Sequence, residues 1–369
     1  MSQLTLVIGQ LNFLVGDIAG NKDKILRACQ HAKQQHQADI IIFPELALTG
    51  YSPEDLLLRK DFIYQAELAL IDLQKNIHDI YAIVGHPYAT PRGLFNSATV
   101  LHNGNVICRY HKQILPNYGV FDEQRYFIAD DQPTIFTVKG TKLGILICED
   151  LWQTTPAQQA CLAGAEIILS LHASPFDHKK ISQREQTLQA RIKEIKRPIV
   201  YVNLIGGQDE LVFDGGSMAL DASGNIQAQA DYFKEQLLAI TFNQQNLVKT
   251  HRCPPHHHWP LLYQALVLGT RDYAHKNGFT DAVLGLSGGI DSALTLAIAV
   301  DALGAKHVHA VMLPSRYTSQ LSFTGAQQQI DALGIKASTI SIEPMFSSFL
   351  RELTEEFTGY QPDTTEENI

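Results

Sequence analysis

Three side chains of complementary chemistry stand at the ends of apolar runs. In Asp39-Ile40-Ile41-Ile42-Phe43-Pro44-Glu45 a buried-strand pattern runs into Pro44, which ends it, and Glu45 is presented to the loop beginning Leu46-Ala47-Leu48. Val106-Ile107-Cys108-Arg109-Tyr110-His111 delivers Lys112 into a long loop dense with aromatics, Asn117 to Phe127. The apolar run Leu143-Gly144-Ile145-Leu146-Ile147 ends in Cys148, followed by Glu149 and Asp150. Carboxylate, ammonium and thiol together can carry out acyl transfer: a thiolate attacks a carbonyl, the carboxylate relays the proton, and the ammonium stabilises the oxyanion. Alone, each has an ordinary reading as a loop acid, a solvated cation, and a buried cysteine that packs as a small hydrophobe. Only convergence of the strand ends would make them a site.

A second stretch, Ala282-Val283-Leu284-Gly285-Leu286-Ser287-Gly288-Gly289-Ile290-Asp291-Ser292, reads as strand, tight turn and helix start. Such a turn leaves backbone N–H groups unsatisfied at the positive end of a helix dipole, where a phosphate is favoured. The Ser287 and Ser292 hydroxyls add donors, and the glycines allow close approach of the anion. Neither G-x-x-x-x-G-K-[ST] nor G-x-G-x-x-G is present, so this is a phosphate loop of another kind.

The elements that must position these residues follow from periodicity. Apolar runs predict strands at 4–10, 39–43, 81–86, 97–102, 106–111, 142–148, 165–171, 198–204, 215–221 and 225–230. Helical spacing predicts helices at 21–37, 60–77, 156–163 and 180–196. The turns His102-Asn103-Gly104-Asn105 and Asp221-Ala222-Ser223-Gly224-Asn225 read as hairpins, so the class is α/β with mixed sheets. At Thr241 the apolar pattern breaks, and 241–259, with its Pro254-Pro255-His256-His257-His258 run, reads as a solvated linker between a domain at 1–240 and a second at 260–369. The second unit alternates helix 260–277, strand 281–286, helix 290–303, strand 307–313, helix 319–333, strand 337–342 and helix 344–357.

Composition bounds the partners. With 45% hydrophobic and 18% charged residues the chain has ample material for a core. A formal net charge of −9 argues against a nucleic-acid or anionic-membrane surface, and no apolar run reaches the ~18 residues of a membrane span. Five cysteines without close metal-type spacing suggest neither a disulfide framework nor a zinc site, and the default compartment is a reducing cytoplasm.

The three strand-end segments, in this order, resemble the Glu–Lys–Cys triad of the nitrilase superfamily, the C–N hydrolases. The resemblance implies a four-layer αββα sandwich with Glu45 as general base, Lys112 as electrophilic stabiliser, Cys148 as nucleophile of a thioester and Glu123 as the family's second glutamate. Leu115-Pro116-Asn117-Tyr118-Gly119-Val120-Phe121-Asp122-Glu123 resembles the glutamine-hydrolysing branch, which implies glutamine contacts for Tyr118, Ser174, Lys180 and Glu149; His172 stands where that branch usually has Asn. Ser287-Gly288-Gly289-Ile290-Asp291-Ser292 is similar to the pyrophosphate loop of N-type ATP pyrophosphatases, with a Rossmann-like parallel sheet, and implies ATP contacts over Gly285, Leu286, Ser287, Gly288, Gly289, Ile290, Asp291 and Ser292.

The two in tandem resemble the glutamine-dependent NAD⁺ synthetases, supported by Met312-Leu313-Pro314-Ser315-Arg316, Ile342-Glu343-Pro344 and Thr365-Glu366-Glu367-Asn368-Ile369. The resemblance implies that glutamine-derived ammonia amidates ATP-adenylated deamido-NAD, that Asn368 contacts deamido-NAD, that Mg²⁺ accompanies ATP, and that no prosthetic group or structural metal is needed. It also implies a cytoplasmic homo-oligomer that binds small molecules and neither nucleic acid nor membrane. In that family the sequence continues past the position of Ile369, so the second domain is expected to be incomplete, to bind ATP poorly and to make little NAD by itself, while the glutaminase half can fold. A stand-alone amidase with a vestigial or regulatory C-terminal segment is the competing enzyme reading, and a non-catalytic scaffold the third.

Overall fold

The computed structural model describes residues 3–253 and 258–361, in two units, Met1–Ala265 and Leu266–Ile369. In the first unit, among the described residues, a seven-stranded sheet runs in the order Asn246–Leu247, Gln236–Asn243, Gln3–Gln10, Ile40–Ile42, Tyr81–Thr90, Gly93–His102, Asn105–His111. A six-stranded sheet runs Ile226–Gln229, Met218–Leu220, Ile199–Asn203, Ile167–His172, Thr141–Ile147, Ile135–Val138. Both mix parallel and antiparallel neighbours.

Side-chain alternation sets the layers. Leu4, Leu6 and Ile8 of the first strand share one apolar cluster with Ile145 and Ile147 of the other sheet. Val7, between them in sequence, joins instead a cluster with Ile25 and Ala28 of the helix Ile18–His36 and Phe62 and Ala66 of the helix Lys60–Asn76. Successive strand residues point to opposite faces, so one face of the sheet meets the second sheet and the other meets helices. Leu188 and Ile192 of the helix Lys180–Ile195 pack against the six-stranded sheet. The result is helix, sheet, sheet, helix, in which Ile40, Ile41 and Ile42 are buried on both faces and paired in parallel on both edges, as their unbroken apolar run requires.

The expected linker at 241–259 is corrected over its first half. Gln236–Asn243 pairs antiparallel with the whole of Gln3–Gln10, and the polar run at 243–246 is a hairpin turn, with Asn243 opposite Asn246. Thr250 and Cys253 then donate backbone N–H groups to Gln227 and Gln229. A turn signal was thus legible where the apolar pattern broke, and the chain continues in the same sheet on its far side. The expectations on His256 and His257 lie outside the described residues.

In the second unit, among the described residues, three parallel strands, Ala282–Gly285, Val308–Met312 and Lys336–Thr339, lie in that order. The helices Ile290–Leu303 and Gln320–Leu333 connect them, the usual crossover for parallel strands. Leu286, Leu296, Val308, Ala310, Ala326 and Ile330 form its core.

Candidate active site

Glu45 follows the strand Ile40–Ile42, Lys112 follows Asn105–His111, and Cys148 follows Thr141–Ile147. Two of these strands belong to one sheet and the third to the other, yet the three side chains converge between the sheets. The Lys112 ammonium donates to Glu45 Oε1 at 2.7 Å and to Glu123 Oε1 at 2.8 Å, with all three side chains buried. Asn96 Nδ2 donates to the same Glu45 Oε1 at 2.8 Å, and the backbone N–H of Ala173 to Oε2 at 3.1 Å. Tyr51 donates its phenol to Glu123 Oε1 at 3.2 Å.

Cys148 sits on a sharp turn between its strand and the short helix Glu149–Trp152, at φ +46° and ψ −100°. Positive φ in a non-glycine residue costs energy and persists where surrounding bonds enforce it. Here the Cys148 N–H donates to the Leu171 carbonyl at 2.8 Å, and Asp150 accepts four bonds, from Ile147 N, Gln113 N, Ile114 N and the Tyr110 phenol. One buried carboxylate thereby ties the residues after Lys112 to the turn that carries Cys148.

The electrostatics suit a thiol that is deprotonated only on attack. Burial pushes the Cys148 thiol well above its usual range, and Glu45 adds to this while Lys112 opposes it. Burial alone would lower the Lys112 ammonium, but the Glu123 and Glu45 carboxylates outweigh that and hold it well above its ordinary value. Burial also raises Glu123 to about 7, against the pull of Lys112. The site holds a fixed cation flanked by carboxylates, beside a neutral sulfur.

Around this centre, Tyr118 donates its phenol to Glu149 Oε2 at 2.9 Å, and the Lys180 ammonium lies 4.4 Å from the Trp152 ring centroid. Tyr118 and Lys180 therefore both contact the short helix Glu149–Trp152, the first at Glu149 and the second at Trp152. Ser174 is buried, and its hydroxyl accepts from Arg184 Nε at 3.2 Å. Asp150, Asn96 and Tyr51 escaped the sequence reading. An asparagine inside the otherwise buried strand Gly93–His102 was the available signal for Asn96; Asp150 and Tyr51 look like ordinary loop residues until their partners are known.

In the second unit Ser287 Oγ accepts from Gly289 N at 3.2 Å and lies 3.1 Å from Ser292 Oγ, which donates to the Gly289 carbonyl at 3.0 Å. Gly288 has φ +81°, and a Cβ there would lie 2.0 Å from the Ser322 carbonyl oxygen. Beside this loop, at the carboxyl ends of the first two strands, is a cavity of about 300 Å³ lined by Gly285, Leu286, Ser287, Met312, Pro314 and Phe323 among others. Asp291, in the first turn of the helix, is exposed; Asn368 lies outside the described residues.

Comparison with known proteins separates the two units in the same way. The carbon-nitrogen hydrolase family matches residues 5–252 and the NAD synthase family residues 262–369. The chain is 43% identical to the glutamine-dependent NAD(+) synthetase of Xylella fastidiosa over 377 aligned residues, 99% of this chain and 68% of that protein. The structure of glutamine-dependent NAD+ synthetase from Acinetobacter baumannii in complex with ADP superposes with a TM-score of 0.95 at 40% identity, over 100% of this chain and 70% of that one. An amidase from Nesterenkonia sp. AN1, in a form showing Michael addition of acrylamide at the active site cysteine, is 25% identical with a TM-score of 0.56, over 65% of this chain and 92% of that one.

Proposed function

The chain belongs to the glutamine-dependent NAD(+) synthetases, carbon–nitrogen ligases, and on that premise we propose how its own residues divide the work. The first unit is the glutaminase. Glu45 takes the proton of the Cys148 thiol as sulfur attacks the side-chain amide carbon of glutamine, and Lys112 stabilises the oxyanion. Glu45 returns the proton to the departing nitrogen, releasing ammonia and leaving a thioester. Water, deprotonated by Glu45, then frees glutamate and restores the thiol. Glu123 fixes the Lys112 ammonium from its far side. Tyr118, Glu149, Lys180 and Ser174 orient the amino acid, whose ammonium and carboxylate call for both signs of charge.

The second unit uses the ammonia. The loop from Gly285 to Ser292 takes the phosphates of ATP at the N-terminus of the helix Ile290–Leu303, with the adenylate in the adjoining cavity. The nicotinate carboxylate of deamido-NAD displaces pyrophosphate from ATP; ammonia then displaces AMP and forms the amide, and Asn368 is assigned to the dinucleotide. Mg²⁺ binds proteins chiefly through one or two carboxylates plus substrate phosphates. On this reading Mg²⁺ would accompany ATP, held by the substrate phosphates, where it would screen their charge. The assembly proposed with this reading is a cytoplasmic homo-oligomer.

The observation that carries the glutaminase assignment is the buried Lys112 ammonium, held between Glu45 and Glu123 beside the strained turn of Cys148. Mass spectrometry after acid quench of the enzyme turning over glutamine should find a glutamyl adduct on Cys148. Glutaminase activity that survives Cys148→Ala would end the assignment.

A further inference from the structure

The helix Lys180–Ile195 has an arginine on its buried side that nothing in the sequence distinguishes from its solvated neighbours. Arg184 is 2% exposed, and all five of its N–H donors are used. Nη1 donates to both carboxylate oxygens of Asp214 at 2.8 Å, Nε to Ser174 Oγ at 3.2 Å, and Nη2 to the carbonyls of Ser174 at 2.8 Å and Pro175 at 3.0 Å. Asp214 is wholly buried at the end of the strand Leu211–Asp214. Asn203, also wholly buried, closes the arrangement: its Oδ1 accepts from Ser174 N at 2.9 Å and its Nδ2 donates to the Ser174 carbonyl at 3.2 Å.

Every polar atom of Ser174 is thus bound by a buried side chain from another element. The residue before it, Ala173, donates its N–H to Glu45 Oε2. Four residues before Arg184 on the same helix, Lys180 lies over Trp152. A residue spacing of four places both side chains on one helix face.

We propose that Arg184 is a positioning residue of the glutaminase: held by Asp214, it sets the segment Ala173–Pro175 and with it the orientation of the base Glu45 and of Ser174 toward glutamine. This rests on the reading that Glu45 and Cys148 hydrolyse glutamine. Arginine is required because its planar fork reaches a carboxylate with Nη1 and, at the same time, a hydroxyl and two carbonyls with Nε and Nη2; lysine offers one compact point of charge.

The test compares the full chain with Arg184→Lys and with the double variant Arg184→Met/Asp214→Leu, which removes both charges together and so leaves no unpaired ion in the interior. Competent sites are counted by covalent labelling of Cys148 with a diazoketone analogue of glutamine, and KM and kcat are expressed per labelled site. The expected result is that at least one of the two variants keeps more than half of its labelled sites yet shows KM for glutamine raised about tenfold or more together with a reduced kcat. Unchanged KM and kcat per labelled site would make Arg184 purely structural and overturn the inference, as would failure of both variants to label at all. Cys148→Ala is run beside them: if it hydrolyses glutamine as the parent does, the underlying glutaminase reading fails, whereas parental KM and kcat in the Arg184 variants refute only the role given to Arg184.

Discussion

Lys112 and Glu45 form a 2.7 Å ion pair from which solvent is excluded on both sides. A buried pair of this kind contributes modestly to stability while intact, because desolvation offsets the attraction, but removing one partner leaves an uncompensated interior charge. Lys112→Met would leave two carboxylates, Glu45 and Glu123, facing an apolar stem. The expected outcome is a loss of about 3–5 kcal/mol in chemical denaturation, with glutaminase activity reduced below one part in a thousand. Retention of near-parental activity would remove Lys112 from the oxyanion role.

Glu123 gives a stability signature with a defined sign. Burial raises its folded pKa from the ordinary 4.5 to about 7, so the native state holds a proton that the unfolded state has lost. Its contribution is fully present below about pH 4.5 and is lost as pH rises through about 7. Glu123→Gln carries no such proton. The stability of this variant relative to the parent should therefore improve by about 3 kcal/mol between pH 4.5 and pH 8, whatever the constant offset from its altered bond to Lys112. Denaturant titrations of both proteins across that range decide it, and a difference that stays flat or runs the other way would reject the raised pKa.

How much of this was legible in the sequence depended on the range of the signal. That Glu45, Lys112 and Cys148 could meet was readable because each follows an apolar run, and strand ends are local features. The strand Gln236–Asn243 was not, because its antiparallel partner, Gln3–Gln10, lies at the other end of the unit, and pairing across that separation leaves no local mark beyond alternation. Arg184 and Asp214 were invisible for a related reason. A charged residue in a polar helix normally faces water, and only the fold shows that this one faces a buried carboxylate. The strand, turn and helix start around Ser287-Gly288-Gly289 were fully readable, since the residues that make them are consecutive.

Tyr118 is half exposed and gives its phenol proton to Glu149. Tyr118→Phe keeps the ring but leaves Glu149 without that donor, in the region proposed to receive the zwitterionic substrate. The expected effect is on binding rather than chemistry: KM for glutamine up about tenfold, with kcat within about twofold, consistent with the loss of one charge-assisted hydrogen bond. A fall in kcat at constant KM would place Tyr118 in the chemical step instead.

On the proposed reading, Gly288 joins backbone geometry to nucleotide binding. Its φ of +81° is freely available to glycine and strained for any other residue, and an added methyl would press within 2.0 Å of the Ser322 carbonyl, which belongs to the helix Gln320–Leu333 and has no flexible side chain with which to yield. Gly288→Ala must therefore move either the loop or that helix. Both border the cavity beside Ser287, so either movement withdraws donors from the phosphates. In the parent, ATP at roughly ten millimolar or more should raise the melting temperature of the second unit by a small but measurable amount, because even a weakly bound ligand that binds only the native state stabilises it. In Gly288→Ala that shift should vanish and the unit should melt several degrees lower, while glutamine hydrolysis in the first unit stays within about twofold of the parent. An ATP-dependent shift that persists in the variant would mean that the phosphates are held elsewhere, and the Ser287-Gly288-Gly289 turn would revert to a strand-to-helix connection without a ligand.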